Sequence, residues 1–372
     1  MSVLLAYAAA VVAFGVGAAF SPGSPAPSPS SASSSSPGQM PAEPVPADAQ
    51  GYMNAGFAME QGGDHKAAIE QFTLAIEADP ALIDAYAARA EVRDEVGDRA
   101  DAISDYTHVL DARPEMMAAR ASRAVDRLQT GDAAGAISDF TAYIAKNRDD
   151  QWAFAGRGSA RAASGDYPGA IVDFTTAIAL DPKNVKLLML RAKAYSASGN
   201  RSGALHDLDA VIKLDPAPLE ALELRARQRH ESGDEAGALA DLAHILRIDP
   251  KNSDAFDLMS NIHTREFQYS AAMADLAAAI AANPGDEYAY DARSTIEREQ
   301  GEFPAALADC DTLVRLQPQN ALSYIRRGGV RSLMHNRTGA LRDYRRALTI
   351  LKAQGEVTEA KQVQTMIDTL GN

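Results

Sequence analysis

The sequence predicts an all-α solenoid of about nine 34-residue helix-turn-helix repeats, closed by a C-terminal capping helix. Three observations predict it. Steps of 34 residues from Ala170 meet only alanine, the column through Gly158 holds only glycine, alanine or serine, and glycine and proline recur in the columns through Gly165 and Pro182. The alanine column consists of Ala68, Ala102, Ala136, Ala170, Ala204, Ala238, Ala272, Ala306 and Ala340.

Each repeat is predicted to contain two helices. Phe154 and Gly158 in the first half, and Ala170 and Phe174 in the second, have the spacing of a helical apolar face. The glycine lies where a helix C terminus needs a positive φ, and the proline closes the repeat because it cannot continue a helix interior. An Asp or Asn after the glycine is predicted to cap the second helix. These predicted caps are Asp64, Asp98, Asp132, Asp166, Asn200 and Asp234.

The pattern resembles the tetratricopeptide repeat, whose 34-residue unit shows a large residue, a small residue, an Ala-x3-Phe pair and a closing proline. Phe154, Gly158, Ala170, Phe174 and Pro182 fill those places. The resemblance covers residues 49–354 without an insertion, and residues 355–372 follow as a capping helix and tail. It implies a right-handed superhelix with a concave groove that binds protein or peptide segments.

Charged residues recur in phase with the repeat, and we predict that they form an ion-pair ladder between packed helices. Arginine replaces the leucine of the family pattern, and aspartate precedes the Phe column in eight repeats. A catalytic interpretation of Arg157 with Asp173 is disfavoured because the pair recurs along the chain. The predicted ladder includes Arg89, Arg123, Arg157 and Arg191 with Asp105, Asp139, Asp173 and Asp207.

The N-terminal region differs from the repeats in composition. Residues 2–20 form an uncharged apolar run, so residues 1–20 are predicted to be a signal peptide or a membrane anchor. A disordered tail in the cytoplasm is the weaker alternative, and the first Lys or Arg is Lys66. Residues 21–48 are rich in Pro and Ser and are predicted to be a disordered linker. We therefore expect an extracytoplasmic (periplasmic or secreted) or membrane-anchored protein.

Composition and motifs argue against several kinds of chemistry. The net charge of −14 disfavours a nucleic-acid partner, which needs a basic footprint. The seven histidines form no H-x3-H pair, so no metal is expected, and no nucleotide-binding loop or other cofactor motif is present. Cys310, the only cysteine, stands in the Phe column and is predicted to be a buried apolar residue.

The predicted partner-binding groove lies on the first-helix face opposite the packing columns. Its centre is predicted to be an apolar patch with a basic rim, and acidic residues flank it. Trp152 is a candidate anchor for a partner side chain, although packing on a neighbouring repeat explains it equally well. The candidate groove residues are Trp152, Val125, Leu128, Lys186, Met189, Lys193 and Arg227.

These features together predict a non-catalytic scaffold that binds basic and apolar protein segments and organises a cell-envelope complex. An accessory subunit that presents substrates to a separately encoded peptidase or transferase is the alternative, and it differs only in its partner. An enzyme would need a cluster of polar residues that does not repeat, and the departures at Met259 and Phe267 are more simply explained by local turn variation.

Overall fold

The computed structural model describes residues 48–371. The predictions for residues 1–20 and for the linker before Asp48 lie outside this range. Every regular element within the described range is an α-helix, which confirms the predicted all-α repeat fold. The chain divides into two compact units, one ending at Leu214 and the other starting at Asp215.

The first unit contains five helical hairpins, each formed by an odd-numbered first helix and an even-numbered second helix. Short turns join the helices, so neighbours in sequence are neighbours in the stack. The helices are α1 (Ala49–Gln61), α2 (His65–Ala78), α3 (Ile83–Glu95), α4 (Arg99–Ala112), α5 (Met117–Thr130), α6 (Ala133–Lys146), α7 (Gln151–Ala163), α8 (Tyr167–Leu180), α9 (Val185–Ala197) and α10 (Arg201–Leu214).

The second unit contains four further hairpins and one terminal helix. Its helices are α11 (Leu219–Ser232), α12 (Glu235–Ile248), α13 (Ser253–Arg265), α14 (Tyr269–Ala282), α15 (Glu287–Glu299), α16 (Phe303–Leu316), α17 (Ala321–Leu333), α18 (Arg337–Gln354) and α19 (Val357–Gly371).

The turn within each hairpin follows the predicted glycine and capping chemistry. Gly165 has a φ of 86°, and the side chain of Asp166 accepts a hydrogen bond from the Gly169 backbone N–H at 3.0 Å. Asp98 is an exception because its side chain makes no capping hydrogen bond, so the cap predicted there is wrong. Phe267 occupies the glycine column and has a φ of 60°, in the region that disfavours side chains.

The two columns of small residues lie at the contact between the helices of each hairpin. All nine alanines of the first column are fully buried. In the second column, a Cβ on Gly158 would lie 2.8 Å from Phe174 Cε1 and 3.2 Å from Asp173 Cβ. The absence of a larger side chain therefore lets α7 approach α8 closely.

Replacing Gly158 by leucine should lower the free energy of unfolding by roughly 1–3 kcal/mol, because the added side chain overpacks the contact with Phe174. Urea denaturation followed by circular dichroism would measure the change. Ala118 on α5 is exposed, and Ala118→Leu serves as a control with an expected change within about 0.5 kcal/mol. Equal effects of the two substitutions would contradict the packing argument.

Helix α19 covers the apolar end of the second unit, as expected of a capping helix. Ala360 and Val363 are buried against α18, where they contact a cluster that includes Ile350 and Leu351. Val357, the first residue of α19, is 63% exposed.

Cys310 is 1% exposed within the second unit, and burial raises the pKa of its thiol to about 11. A thiol in this environment stays protonated near neutral pH and packs as a small apolar group.

Candidate partner-binding groove

The ladder arginines and aspartates lie close together within each hairpin. Asp173 accepts hydrogen bonds from Arg157 Nε at 3.0 Å, Arg157 Nη2 at 2.7 Å and Arg161 Nη1 at 2.8 Å, and its side chain is 1% exposed. The same bidentate contact joins Arg89 to Asp105, Arg123 to Asp139, Arg191 to Asp207, Arg225 to Asp241, Arg293 to Asp309 and Arg327 to Asp343.

The ladder also reaches the preceding hairpin, through a threonine column that the sequence analysis missed. Arg123 Nη1 donates to Thr107 Oγ1 at 3.0 Å, so one guanidinium joins α5 to α6 and to α4. Recurrence of threonine at steps of 34 residues was the available signal. The same contact joins Arg89 to Thr73, Arg157 to Thr141 and Arg191 to Thr175.

The seventh repeat has a different ladder contact. Met259 replaces the first-column arginine and His263 replaces the second, and His263 Nδ1 lies 2.6 Å from Asp275 Oδ2. Burial raises the pKa of the Asp275 carboxyl, while the hydrogen bond from His263 lowers it. The pair occupies the same place as the ladder contacts of the other hairpins, so it is a structural variant and forms no separate reactive cluster.

Trp152 packs within the first unit and does not project into open space. Its ring makes edge contacts with Phe140 at 5.4 Å and Tyr143 at 5.9 Å between ring centres. The indole N–H is buried and has no hydrogen-bond partner within the described part of the chain. The geometry therefore favours packing against the preceding hairpin over a role as a projecting anchor.

Three other candidate groove residues are buried. Val125 and Leu128 on α5 are 5% and 1% exposed and pack with Phe140, and Met189 on α9 is 8% exposed. Their expected presentation to a partner is corrected. For Val125 and Leu128 the reason is that α7 of the next hairpin joins the same cluster through Ala153 and Ala160.

The basic candidates remain more accessible. Lys186 is exposed and Lys193 is partly exposed on α9, in the first unit, whereas Arg227 is exposed on α11, in the second unit. Lys186 and Lys193 are also engaged in contacts within the chain. The candidate apolar residues of the predicted groove are thus packed within the fold, and its exposed candidates are basic residues.

Acidic residues of the first-helix face cluster within each unit. In the second unit, burial raises the pKa of Asp257 to about 7, and the nearby carboxylates of Asp286 and Asp254 add to the shift. Asp291 of the same unit forms an ion pair with Arg326 at 2.7 Å.

Two further features bear on the kind of site the chain holds. Within residues 48–371, no three His, Cys, Asp or Glu side chains are grouped so as to hold a metal ion. Among the same residues, no helix combines the length and apolar character needed to cross a bilayer. The predicted anchor, residues 2–20, lies outside this range.

Comparison with protein families assigns the repeat. Models of the tetratricopeptide repeat match residues 49–82, 87–151, 121–185 and 161–227. The chain belongs to the tetratricopeptide-repeat family, whose members bind peptide or protein partners. No curated protein sequence matches the chain.

Two solved structures are similar to the chain at low sequence identity. The C-terminal part of a TPR repeat-containing protein from Cytophaga hutchinsonii is 17% identical, with a TM-score of 0.56, over 64% of this chain and 98% of that one. A tetratricopeptide repeat protein from Parabacteroides merdae is 20% identical, with a TM-score of 0.47, over 67% of this chain and 98% of that one.

Proposed function

We propose that the protein is a non-catalytic scaffold that binds partner protein segments along its first-helix faces and organises a complex at the cell envelope. The observation that carries this proposal is the contrast between packing and surface positions. The alanine column is identical in all nine repeats, whereas the charged side chains of the first-helix face change from acidic on α3 (Glu91 and Asp94) to basic on α9 (Lys186 and Lys193) within the first unit. A constant scaffold with a varying surface suits the recognition of an extended segment with a defined order of side chains.

The chemistry of the first-helix face supports a partner with basic side chains. Glu91 and Asp94 on α3 and Asp254 and Asp257 on α13 present carboxyl groups there. Opposite charges steer the encounter and suppress wrong partners. The location rests on residues 2–20, whose apolar character suits export or membrane tethering.

A pull-down from cells with the full chain and a Lys186→Glu, Lys193→Glu variant tests the groove. We expect the variant to recover about fivefold less of its main partners if α9 contributes to binding. The matched control is Lys146→Glu with Lys213→Glu, which makes the same charge change at exposed positions of second helices. Equal recovery by the two variants would move the binding surface away from α9.

The same experiment addresses the accessory-subunit alternative. A peptidase or transferase among the partners lost by the α9 variant and kept by the control would favour substrate presentation over general scaffolding.

A further inference from the structure

Four carboxylates gather on the first-helix face of the first unit, contributed by Glu60 on α1 and by Glu91, Asp94 and Glu95 on α3. Burial raises the pKa of Glu91 to about 7, and the charges of Glu60 and Glu95 add to this shift. Burial and the charge of Glu95 also raise the pKa of Glu60. The charge of each of these carboxylates therefore disfavours ionisation of its neighbours in the cluster. We call these four residues the acidic cluster.

Asp126 on α5 adds a carboxyl group of a different kind beside the cluster. Its side chain is 0% exposed, and when Asp126 is ionised neither of its carboxylate oxygens accepts a hydrogen bond within the described residues. Arg99 Nε lies 3.8 Å from Asp126 Oδ1, beyond hydrogen-bonding distance, and this Nε also lacks a hydrogen-bond partner within the described residues. A buried charge with unmet hydrogen-bonding capacity is costly, so its presence needs an explanation.

Asp126 directs its carboxyl group at Asp94 of the cluster. Burial raises the pKa of Asp126 to about 8, the hydrogen bond and charge of Asp94 raise it further, and Arg99 lowers it. Two carboxyl groups share a hydrogen bond only while one of them holds a proton. Asp126 therefore bonds to Asp94 when protonated and has no hydrogen-bond partner when ionised.

The equivalent position in other repeats shows that Asp126 departs from the packing pattern. This position is apolar in seven of the nine repeats, and Asp126 and Gln228 are the polar residues there. Six of the apolar residues are buried between helices. These buried residues are Val92, Ala160, Ala194, Ile262, Ile296 and Val330. A carboxyl group thus stands where the scaffold alone requires only an apolar side chain.

We propose that the acidic cluster and Asp126 form a pocket for a cationic side chain, lysine or arginine, of the partner segment, an inference that rests on the proposed function. An ammonium or guanidinium group supplies several N–H donors and positive charge, which are the two things that Asp94 and Asp126 lack. A metal ion fits less well, because no three such ligands within residues 48–371 are arranged to hold one.

Binding at this pocket should release protons, because a cation favours the ionised carboxyl groups. Affinity should therefore rise between about pH 6 and pH 8, the range in which Glu91 and Asp126 titrate. The titratable and charged groups that face the pocket come from five helices. They are Glu60 on α1, His65 on α2, Glu91, Asp94 and Glu95 on α3, Arg99 and Tyr106 on α4, and Asp126 on α5.

Isothermal titration of the full chain with model peptides tests the pocket. The probes are acetylated, amidated peptides of alternating alanine with lysine, arginine or glutamate. Titration in phosphate and in Tris, which differ in ionisation enthalpy, reports the protons released. We expect the lysine or the arginine peptide to bind with proton release, and the glutamate peptide not to bind. The tighter of the two basic peptides identifies the cationic group.

Variants then locate the binding. Asp126→Asn and Glu91→Gln should each weaken binding of the basic peptide by about tenfold and reduce proton release. Asp111→Asn makes the same charge change at an exposed position of α4 and should leave affinity within about twofold. Circular dichroism of each variant confirms that it is folded, and Glu91→Gln provides an independent readout if Asp126→Asn rearranges the core.

Three outcomes would overturn the pocket. They are equal affinities for the Asp126→Asn, Glu91→Gln and Asp111→Asn variants, binding without proton release, and no binding of either basic peptide. Loss of binding in Asp257→Asn alone would place the basic segment on the second unit, which rejects the pocket and leaves the proposed function intact. If the α9 variant recovers as much partner as its control while the basic peptide still binds with proton release, the proposed surface on α9 is rejected and the pocket is retained.

Discussion

Replacement of Asp173 by alanine is expected to lower the free energy of unfolding by about 3–5 kcal/mol. The aspartate accepts three hydrogen bonds from Arg157 and Arg161 and is almost completely buried. Its removal leaves two guanidinium groups, with side chains 14% and 25% exposed, without their carboxylate. Removing one partner of a buried ion pair lowers the free energy of unfolding by more than the intact pair raises it relative to apolar residues, because the remaining charge stays desolvated.

Asp166→Ala is the matched control, since it removes an aspartate from the same hairpin. The side chain of Asp166 is 52% exposed and caps α8 through the Gly169 N–H, so its loss should cost about 1 kcal/mol. Urea denaturation of the full chain followed by circular dichroism compares the two variants, with each transition fitted separately because repeat arrays need not unfold in one step. Equal shifts of the denaturation midpoint would remove the argument that the ladder holds the helices in register.

The repeat architecture was predictable because one period carries several independent signals. The alanine column through Ala170 marks a contact between helices, and the glycine column through Gly165 marks the turn. Asp173 stands one residue before Phe174, and the aspartates of seven other repeats occupy the same position in their second helices. Each of these signals is local and recurs, so a repeat that lacks one of them is still recognised from the position of its neighbours in the 34-residue period. The pairing of Arg157 with Asp173 follows from the same phase, because both lie on helices that the period makes neighbours.

The groove was harder to predict because its lining depends on the angle between successive hairpins. Helical spacing places Val125, Leu128 and Trp152 on a first-helix face, but spacing does not say how much of that face the next hairpin covers. The structure packs all three into one cluster with Phe140 of α6 and with Ala153 and Ala160 of α7. Charged residues such as Lys186 were placed more reliably, because desolvation keeps an ammonium group at the surface.

Asp126 illustrates a signal that was present in the sequence and passed over. Comparison along its own column places it between Val92 and Ala160, both buried and apolar. The sequence therefore marks Asp126 as an exception to the packing pattern. Only the structure shows that Asp94 and Arg99 are its neighbours and that neither satisfies its ionised oxygens.

Replacement of Asp126 by asparagine is expected to stabilise the protein, and the gain should depend on pH. The pKa of Asp126 rises from its usual 3.8 to about 8 in the folded chain, chiefly because the carboxyl group is buried. The folded state therefore binds more protons than the unfolded state between these values, and the wild type loses stability as the pH increases from about 4 through about 8. Asparagine has nearly the same shape and does not titrate.

The variant should match the wild type below about pH 4 and exceed it by roughly 1–4 kcal/mol above about pH 8. Urea denaturation at a series of pH values would measure this difference. Asp111→Asn, at an exposed position of α4, should show a change within about 0.5 kcal/mol throughout. A pH-independent difference, or destabilisation by Asp126→Asn above pH 8, would contradict the buried-carboxyl argument. If Asp126→Asn stabilises the protein and also weakens the binding of a basic peptide, the carboxyl group of Asp126 lowers the stability of the first unit but contributes to its cation pocket.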